Sequence, residues 1–131
     1  MSSNTGTNVS TRLSETAQRM PDAVAIAMPV SRHTNGRRQY NTCTFRELED
    51  DTNRLAAGLR NMGVRDGMRL VLMVRPGIDF IALTFAIFKT GAVVVLIDPG
   101  MGREHLVRCL EDVRPQGFIG IPLAQVLRIL F

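Results

Sequence analysis

The chain has 131 residues, a length that fits one compact domain with its own hydrophobic core. Apolar residues make up 45% and charged residues 21%, as in ordinary globular proteins, and an aromatic share of 5% is small for a surface that stacks nucleic-acid bases. The net charge of +4 comes from fifteen arginines and one lysine, Lys89, scattered along the chain. Because nucleic-acid sites cluster their cations, we expect no nucleic-acid partner.

The cysteines and the N-terminus indicate a cytoplasmic protein. Cys43 and Cys109 lie far apart, with no CxxC pattern and no histidine at ligand spacing, so the sequence predicts buried thiols and neither a zinc site nor a disulfide framework. Residues 1–8 are polar and lack the charged start and apolar stretch of a signal peptide. We predict a disordered tail there, followed by one domain over residues 9–131.

A mostly apolar stretch at residues 78–97 has the length of a bilayer span. Asp79, Lys89 and Gly91 interrupt it, and a charge at the centre of a bilayer would cost about 3 kcal/mol. The stretch is better interpreted as a helix that stops at the glycine and continues as a strand. We therefore expect no transmembrane segment.

The first part of the chain predicts one short helix and a pair of strands. Apolar residues recur every three or four positions over residues 9–20, which is typical of an amphipathic helix. Strands are predicted at residues 23–28 and 38–45, and the Asn35-Gly36 pair between them has the chemistry of a turn. The two strands are expected to pair antiparallel at a sheet edge.

A capping box marks the start of the best-defined helix. Thr44 is expected to accept a hydrogen bond from an early helical N–H, while Glu47 reaches back to the cap. The apolar side chains that follow form one broad stripe, and Gly63 suits a left-handed stop. The acidic run Glu49-Asp50-Asp51 is placed in the first half of the helix, where the helix dipole favours anions.

The remainder alternates strands and helices with strand starts about 24 residues apart, the spacing of βα units in a parallel sheet. We predict strands at residues 69–74, 92–97 and 118–121 and helices at residues 78–90 and 103–113. The strands are continuous apolar runs, so helices should cover both faces, and the first of those helices should be the buried centre. The predicted fold is α/β, a three-layer parallel sheet preceded by the antiparallel pair.

The C-terminus predicts a truncated domain. Pro122 suits a first helical position, and the helix that should follow at residues 123–131 ends on three apolar residues with no cap. A three-stranded sheet with an unfinished helix leaves an edge and an apolar face uncovered. We therefore expect self-association through exposed apolar surface.

The turn at residues 98–102 is the foremost candidate for a ligand site. It follows a predicted parallel strand and precedes a helix, where α/β sheets bind phosphate. Gly100-x-Gly102-x-x-His105 nevertheless only approaches the dinucleotide-binding fingerprint, since His105 stands where the third glycine belongs. The interpretation favoured here is a structural turn.

Other candidate sites also fail on composition or spacing. Gly58 and Gly63 have the spacing of a phosphate loop, but the Val64-Arg65 pair follows where lysine and a hydroxyl residue are required. The remaining candidates are polar groups that read better as solvated surface: Asp50 with Asp51 as an acid and base pair, the isolated His33 and His105, and Arg32, His33, Arg37 and Arg38 as an anion-binding hairpin tip. The residues alone predict an α/β domain without a complete active site.

Five segments between residues 44 and 99 form an ordered set of motifs: Thr44-Phe45-Arg46-Glu47-Leu48, Asn53-Arg54-Leu55-Ala56-Ala57-Gly58-Leu59, Gly63-Val64-Arg65-Asp66-Gly67-Met68-Arg69-Leu70, Phe85-Ala86-Ile87-Phe88-Lys89-Thr90-Gly91-Ala92 and Leu96-Ile97-Asp98-Pro99. In order and spacing they resemble the amino-terminal region of the adenylate-forming superfamily, which includes acyl-CoA synthetases, peptide-synthetase adenylation domains and luciferases. The stretch at residues 98–122 looks most like the fatty-acyl and β-hydroxyacyl activating members, including those of olefin biosynthesis.

The resemblance implies a parent enzyme, expected to be a fatty-acid-CoA ligase or synthetase, that uses ATP and Mg²⁺ to form an acyl-adenylate and then transfers the acyl group. The expected acceptor is CoA, and a carrier protein or an internal hydroxyl is the alternative. The family's nucleotide-binding and catalytic segments lie beyond the region that matches residue 131. The resemblance therefore places no catalytic, cofactor-binding or metal-binding residue in this chain, which it identifies as an inactive scaffold fragment whose partner is the rest of the synthetase. The alternative hypothesis is a complete small α/β module that binds anions or self-associates.

Overall fold

The computed structural model describes residues 7–32, 35–98 and 100–120, and only the backbone at residues 31 and 32. The predicted elements within these ranges are all present, with bounds that differ by a few residues. In chain order they are α1 (Ser10–Arg19), β1 (Val24–Arg32), β2 (Arg38–Thr44), α2 (Phe45–Asn61), β3 (Arg69–Met73), α3 (Ile78–Lys89), β4 (Val93–Leu96), α4 (Arg103–Val113) and β5 (Gly117–Gly120). The helix predicted at residues 123–131 lies outside the described residues.

The two N-terminal strands form an antiparallel ribbon, as predicted, but β1 is longer than expected. It continues past residue 28 through Pro29, which lies opposite Tyr40, and the register shifts before Arg32 pairs with Arg38. Proline has no N–H to donate, so it is tolerated in a strand that has a neighbour on one side only. The predicted strand ended before the proline, because the sequence does not show which side of the strand has no neighbour.

The remaining strands form the predicted parallel sheet, with β3 in the centre and the order β4-β3-β5. The side chains of β3 alternate between the two faces of the sheet. Leu70 and Leu72 pack with Ile87 of α3, whereas Val71 and Met73 pack with residues of α4 such as Leu106. Helices therefore cover both faces, and the three-layer α/β arrangement is confirmed.

The helix α3 lies at the centre of the molecule, as its apolar sequence predicts. Its residue Ala82 packs into a cluster with Leu13 of α1 and Ile26 of β1. Five residues further on, Ile87 packs against the sheet residue Leu70. The helix thus contributes to the core clusters of both the ribbon and the parallel sheet.

Local capping signals fix both ends of α2. The Thr44 hydroxyl accepts a hydrogen bond from the N–H of Glu47 at 3.2 Å, which confirms the predicted N-terminal cap. At the other end Gly63 has a φ of 98°, and its N–H and that of Val64 donate to carbonyls of the last turn at 3.0 Å each. Leu59 and Val64 then meet in the core, completing a Schellman stop.

Candidate functional site

The carboxyl edge of the parallel sheet is where this architecture would place a ligand. From β3 the chain crosses by α3 to β4 on one side, then by α4 over the opposite face to β5 on the other side. Adjacent strands whose connections leave toward opposite faces create the crevice in which open α/β sheets bind ligands. Here the crevice lies beside the end of β3, and the segment that follows β5 lies outside the described residues.

The predicted turn at this edge is closed by its own side chain. The Asp98 carboxylate accepts the N–H of Gly100 at 2.8 Å, and the Asp98 carbonyl accepts the N–H of Met101 at 3.2 Å. Gly102, with a φ of 82°, precedes α4, and no side chain caps that helix start. A carboxylate beside these N–H groups competes with any anion for them, which agrees with the interpretation as a structural turn.

Among the described residues, the other sequence candidates do not come together into a site. Asp50 is exposed and Asp51 forms an ion pair with Arg54, as expected for a solvated helix face. His105 is exposed on α4, Arg37 and Arg38 are exposed at the ribbon, and His33 lies outside the described residues. Within the described ranges, no group of three His, Cys, Asp or Glu side chains is placed to hold a metal ion.

Both cysteines are free thiols. Cys43 is buried in the core, and burial, followed by the negative charges of Glu47 and Asp51, raises the pKa of its thiol. Cys109 is half-buried, so the prediction that both thiols are buried is correct for Cys43 and too strong for Cys109. A high thiol pKa keeps Cys43 in its unreactive protonated form.

Sequence reasoning missed a buried polar cluster between three helices. The Lys89 ammonium at the end of α3 donates to the Glu49 carboxylate and to the Asn53 side chain, at 2.7 Å each. The Ser14 hydroxyl of α1 donates to the same carboxylate at 2.7 Å. The Lys89 and Glu49 side chains are only 9% and 18% exposed. One feature of the sequence could have indicated this cluster, namely a single lysine in an otherwise apolar helix. A buried ammonium requires a polar partner, so such a lysine predicts one.

The cluster holds Glu49 in its charged form. Burial on its own would raise the pKa of this carboxyl group, but hydrogen bonds from Lys89, Ser14 and Asn53 and the charge of Lys89 outweigh it and lower the pKa. A further hydrogen bond links the end of α3 to the segment before α1: the Asn8 side chain donates to the carbonyl of Phe88 at 2.5 Å. These contacts fix the three helices relative to one another, and the polar groups that form them are bonded within the chain.

An apolar groove of about 350 Å³ lies between α1, β1, α2 and α3. Its walls are largely the hydrophobic side chains of the first core cluster, among them Leu13, Phe45 and Phe85. Arg12 at its rim is already paired with Glu15 at 3.0 Å. The groove therefore lacks the converging polar groups that would orient a small molecule.

Comparison with known proteins identifies the family of the chain. The family model of AMP-binding enzymes matches residues 13–129, and the chain belongs to that family. It is 46% identical over 125 residues to an olefin beta-lactone synthetase of Stenotrophomonas maltophilia and 45% identical over 124 residues to one of Xanthomonas campestris. Each match covers 94% of this chain but only 23% and 22% of those relatives, so the chain spans less than a quarter of their length.

A solved structure shows the same fold. The N-terminal subdomain of Klebsiella oxytoca NpsA, in complex with 3-hydroxyanthranilyl-AMSN, superposes with a TM-score of 0.78 at 22% identity. The match covers 89% of this chain and 28% of that one. The predicted fold, part of the N-terminal subdomain of an adenylate-forming enzyme, is thereby confirmed. Among the described residues, no helix has the length and apolar character needed to cross a membrane.

Proposed function

We propose that the chain forms part of the N-terminal subdomain of an ATP-dependent ligase that activates a carboxylic acid as its acyl-adenylate, and that this region acts as scaffold. The observation that carries the proposal is the identity of 46% to an olefin beta-lactone synthetase across 94% of the chain. The buried Lys89–Glu49 pair and the self-closed turn at Asp98 support the structural half of it. Both use their polar groups internally.

The names of the two olefin beta-lactone synthetases support a particular acceptor for the acyl group. A β-lactone forms when a hydroxyl on the third carbon attacks the activated carboxyl carbon of the same molecule, releasing AMP and a proton. We therefore favour a 3-hydroxy acid as substrate and its own hydroxyl as acceptor. Transfer to CoA, which we expected from the sequence resemblance, stays a prediction, as does a cytoplasmic location.

ATP and Mg²⁺ are implied by the family, and the described residues do not fit them. The acidic and histidine side chains are not grouped for a metal ion within the described ranges, and the turn after β4 offers its N–H groups to Asp98. We assign both cofactors to the rest of the parent protein, and we expect the chain alone to be inactive.

Two measurements test the proposal. The gene downstream of residue 131 should encode a Gly/Ser/Thr-rich loop ending in lysine, and its absence would contradict a parent ligase. In the absence of CoA, the parent should release AMP from ATP when it is supplied with a 3-hydroxy acid. It should release much less AMP when it is supplied with the same acid lacking the hydroxyl. A strict requirement for CoA would instead identify a thioester-forming ligase.

The alternative, a complete anion-binding module, is tested on the chain alone. If the turn at residues 98–102 binds phosphate ligands, calorimetry should find micromolar ATP binding that a Gly102→Leu substitution abolishes. We expect no measurable binding in either protein.

A further inference from the structure

The Asn35-Gly36 pair lies at the exposed end of the ribbon, between β1 and β2. Gly36 has a φ of 77°, in the left-handed region that glycine adopts without strain. Among the described residues, no atom lies within 4 Å of the position that a Cβ of Gly36 would occupy. The peptide nitrogen of Gly36 is therefore open both to solvent and to the side chain that precedes it.

A hydrogen bond holds the Asn35 side chain beside this nitrogen. The Oδ1 atom of Asn35 accepts the N–H of Arg37, two residues further on, at 3.3 Å. A bond of this kind closes a ring that contains the Gly36 peptide unit, so it keeps the amide carbon Cγ next to the Gly36 nitrogen. The bond also draws electron density toward Oδ1, which makes Cγ a better electrophile. A nucleophile and an electrophile are thus held together at the turn.

We propose that Asn35 is a site of spontaneous covalent modification, in which the backbone nitrogen of Gly36 attacks the side-chain amide. The nitrogen gives up its proton to hydroxide and forms a bond to Cγ of Asn35. Negative charge develops on Oδ1, where the N–H of Arg37 stabilises it. The Cγ–Nδ2 bond then breaks, and the departing nitrogen takes a proton from water and leaves as ammonia. The product is a five-membered cyclic imide.

Water opens the imide at either of its two carbonyl carbons. Attack at Cγ leaves an aspartate at position 35. Attack at the backbone carbonyl carbon leaves an isoaspartate, in which the main chain runs through Cβ and Cγ. The overall reaction consumes one water and releases one ammonia, and nothing is oxidised or reduced. The inference does not depend on the proposed function, because it requires only the chain and solvent.

Either product changes the chemistry of the ribbon end. Residues 23–46 contain no Asp or Glu, and Arg37 and Arg38 are exposed beside the turn. The new carboxylate replaces a neutral amide there and lowers the net charge of +4 by one. Isoaspartate also lengthens the connection between β1 and β2 by one carbon, next to the pairing of Arg32 with Arg38. The charge and the backbone of this turn therefore change as the protein ages.

Peptide mapping by mass spectrometry, after the folded chain has been kept for weeks in buffers of neutral to mildly alkaline pH, tests the proposal. The peptide that contains Asn35 should turn into separate aspartate and isoaspartate forms. The rate should rise about tenfold for each pH unit, because the deprotonated nitrogen attacks. Asn41 and Asn61 are exposed internal controls that should keep their amides, since the residues that follow them carry side chains that hinder attack. An intact Asn35, or equal loss at all three asparagines, would overturn the inference.

A matched pair of variants tests the hydrogen bond. Arg37→Pro removes the N–H and should slow the reaction about tenfold, less than for a donor in a closed active site, because this bond is long and exposed to water. Arg37→Gln removes only the charge and should react within about twofold of the wild type. Circular dichroism checks that both variants are folded. Equal rates in the two variants would contradict the role of the Arg37 N–H.

Discussion

Substitution of Lys89 by methionine is the sharpest test of the structural role of the buried cluster. The ammonium lies 2.7 Å from both the Glu49 carboxylate and the Asn53 side chain, and it is only 9% exposed. Methionine keeps much of the apolar volume but leaves the Glu49 charge buried without its cation. Breaking such a pair from one side costs about 3 kcal/mol. For a chain of this size that corresponds to a fall in Tm of about 10 °C.

Urea unfolding followed by circular dichroism measures this loss, and a double variant serves as the control. In Glu49→Leu with Lys89→Met both charges are gone, and apolar residues of similar volume take their place. Replacing a buried ion pair in this way is often close to neutral, so the double variant should regain most of the lost stability. Free energies of unfolding within about 1 kcal/mol for the wild type and Lys89→Met would refute the role assigned to the pair.

The pKa of Glu49 determines how the stability lost in Lys89→Met changes with pH. Its pKa is lowered in the folded chain, so the unfolded chain binds the proton more tightly. The stabilisation is therefore complete above the unfolded pKa and is lost as the pH falls through the folded pKa. Without Lys89 the main cause of the lowering is removed. The stability difference between wild type and Lys89→Met should narrow steadily on acidification, and a constant difference would contradict this origin.

Four further substitutions test the turns and caps, each by urea unfolding. Gly91→Ala should destabilise by at least about 2 kcal/mol, since a Cβ would lie 2.0 Å from the Asp66 carboxylate at a φ of 76°, while Gly63→Ala meets no atom and should cost about 1 kcal/mol from φ alone. Arg114→Gly should stabilise by about 1 kcal/mol, because Arg114 has a φ of 49° that glycine adopts without strain; a loss of stability would contradict this. Thr44→Ala should cost about 1 kcal/mol, and a neutral result would refute the cap.

Elements defined by local signals could be predicted from the sequence. The start and stop of α2 depend on Thr44 and Gly63, whose hydrogen bonds reach only a few residues along the chain. The βα alternation is also a short-range pattern, so the parallel sheet and its covering helices followed from it. The five family motifs between residues 44 and 99 predicted that the chain is part of the N-terminal subdomain of an adenylate-forming enzyme.

Features that depend on distant residues could not be predicted. The continuation of β1 past Pro29 depends on which side of the strand is unpaired, and the order β4-β3-β5 depends on where each crossover returns. The partner of Lys89 lies 40 residues earlier, in an acidic run that reads as solvated surface. Asp50 and Asp51 fit that interpretation, whereas Glu49 faces inward. Which acidic side chain of the run is buried depends on how α2 packs on α3, and the sequence does not show this.

Carboxylate-dependent exchange of pyrophosphate into ATP by the parent protein tests the central claim most directly. The account predicts that the parent, supplied with Mg²⁺ and a 3-hydroxy fatty acid, exchanges labelled pyrophosphate into ATP, and that the 131-residue chain under the same conditions does not. Exchange by the isolated chain would show that catalytic groups lie within it. A parent that shows no exchange with any carboxylic acid would contradict the assignment to an acyl-adenylating ligase.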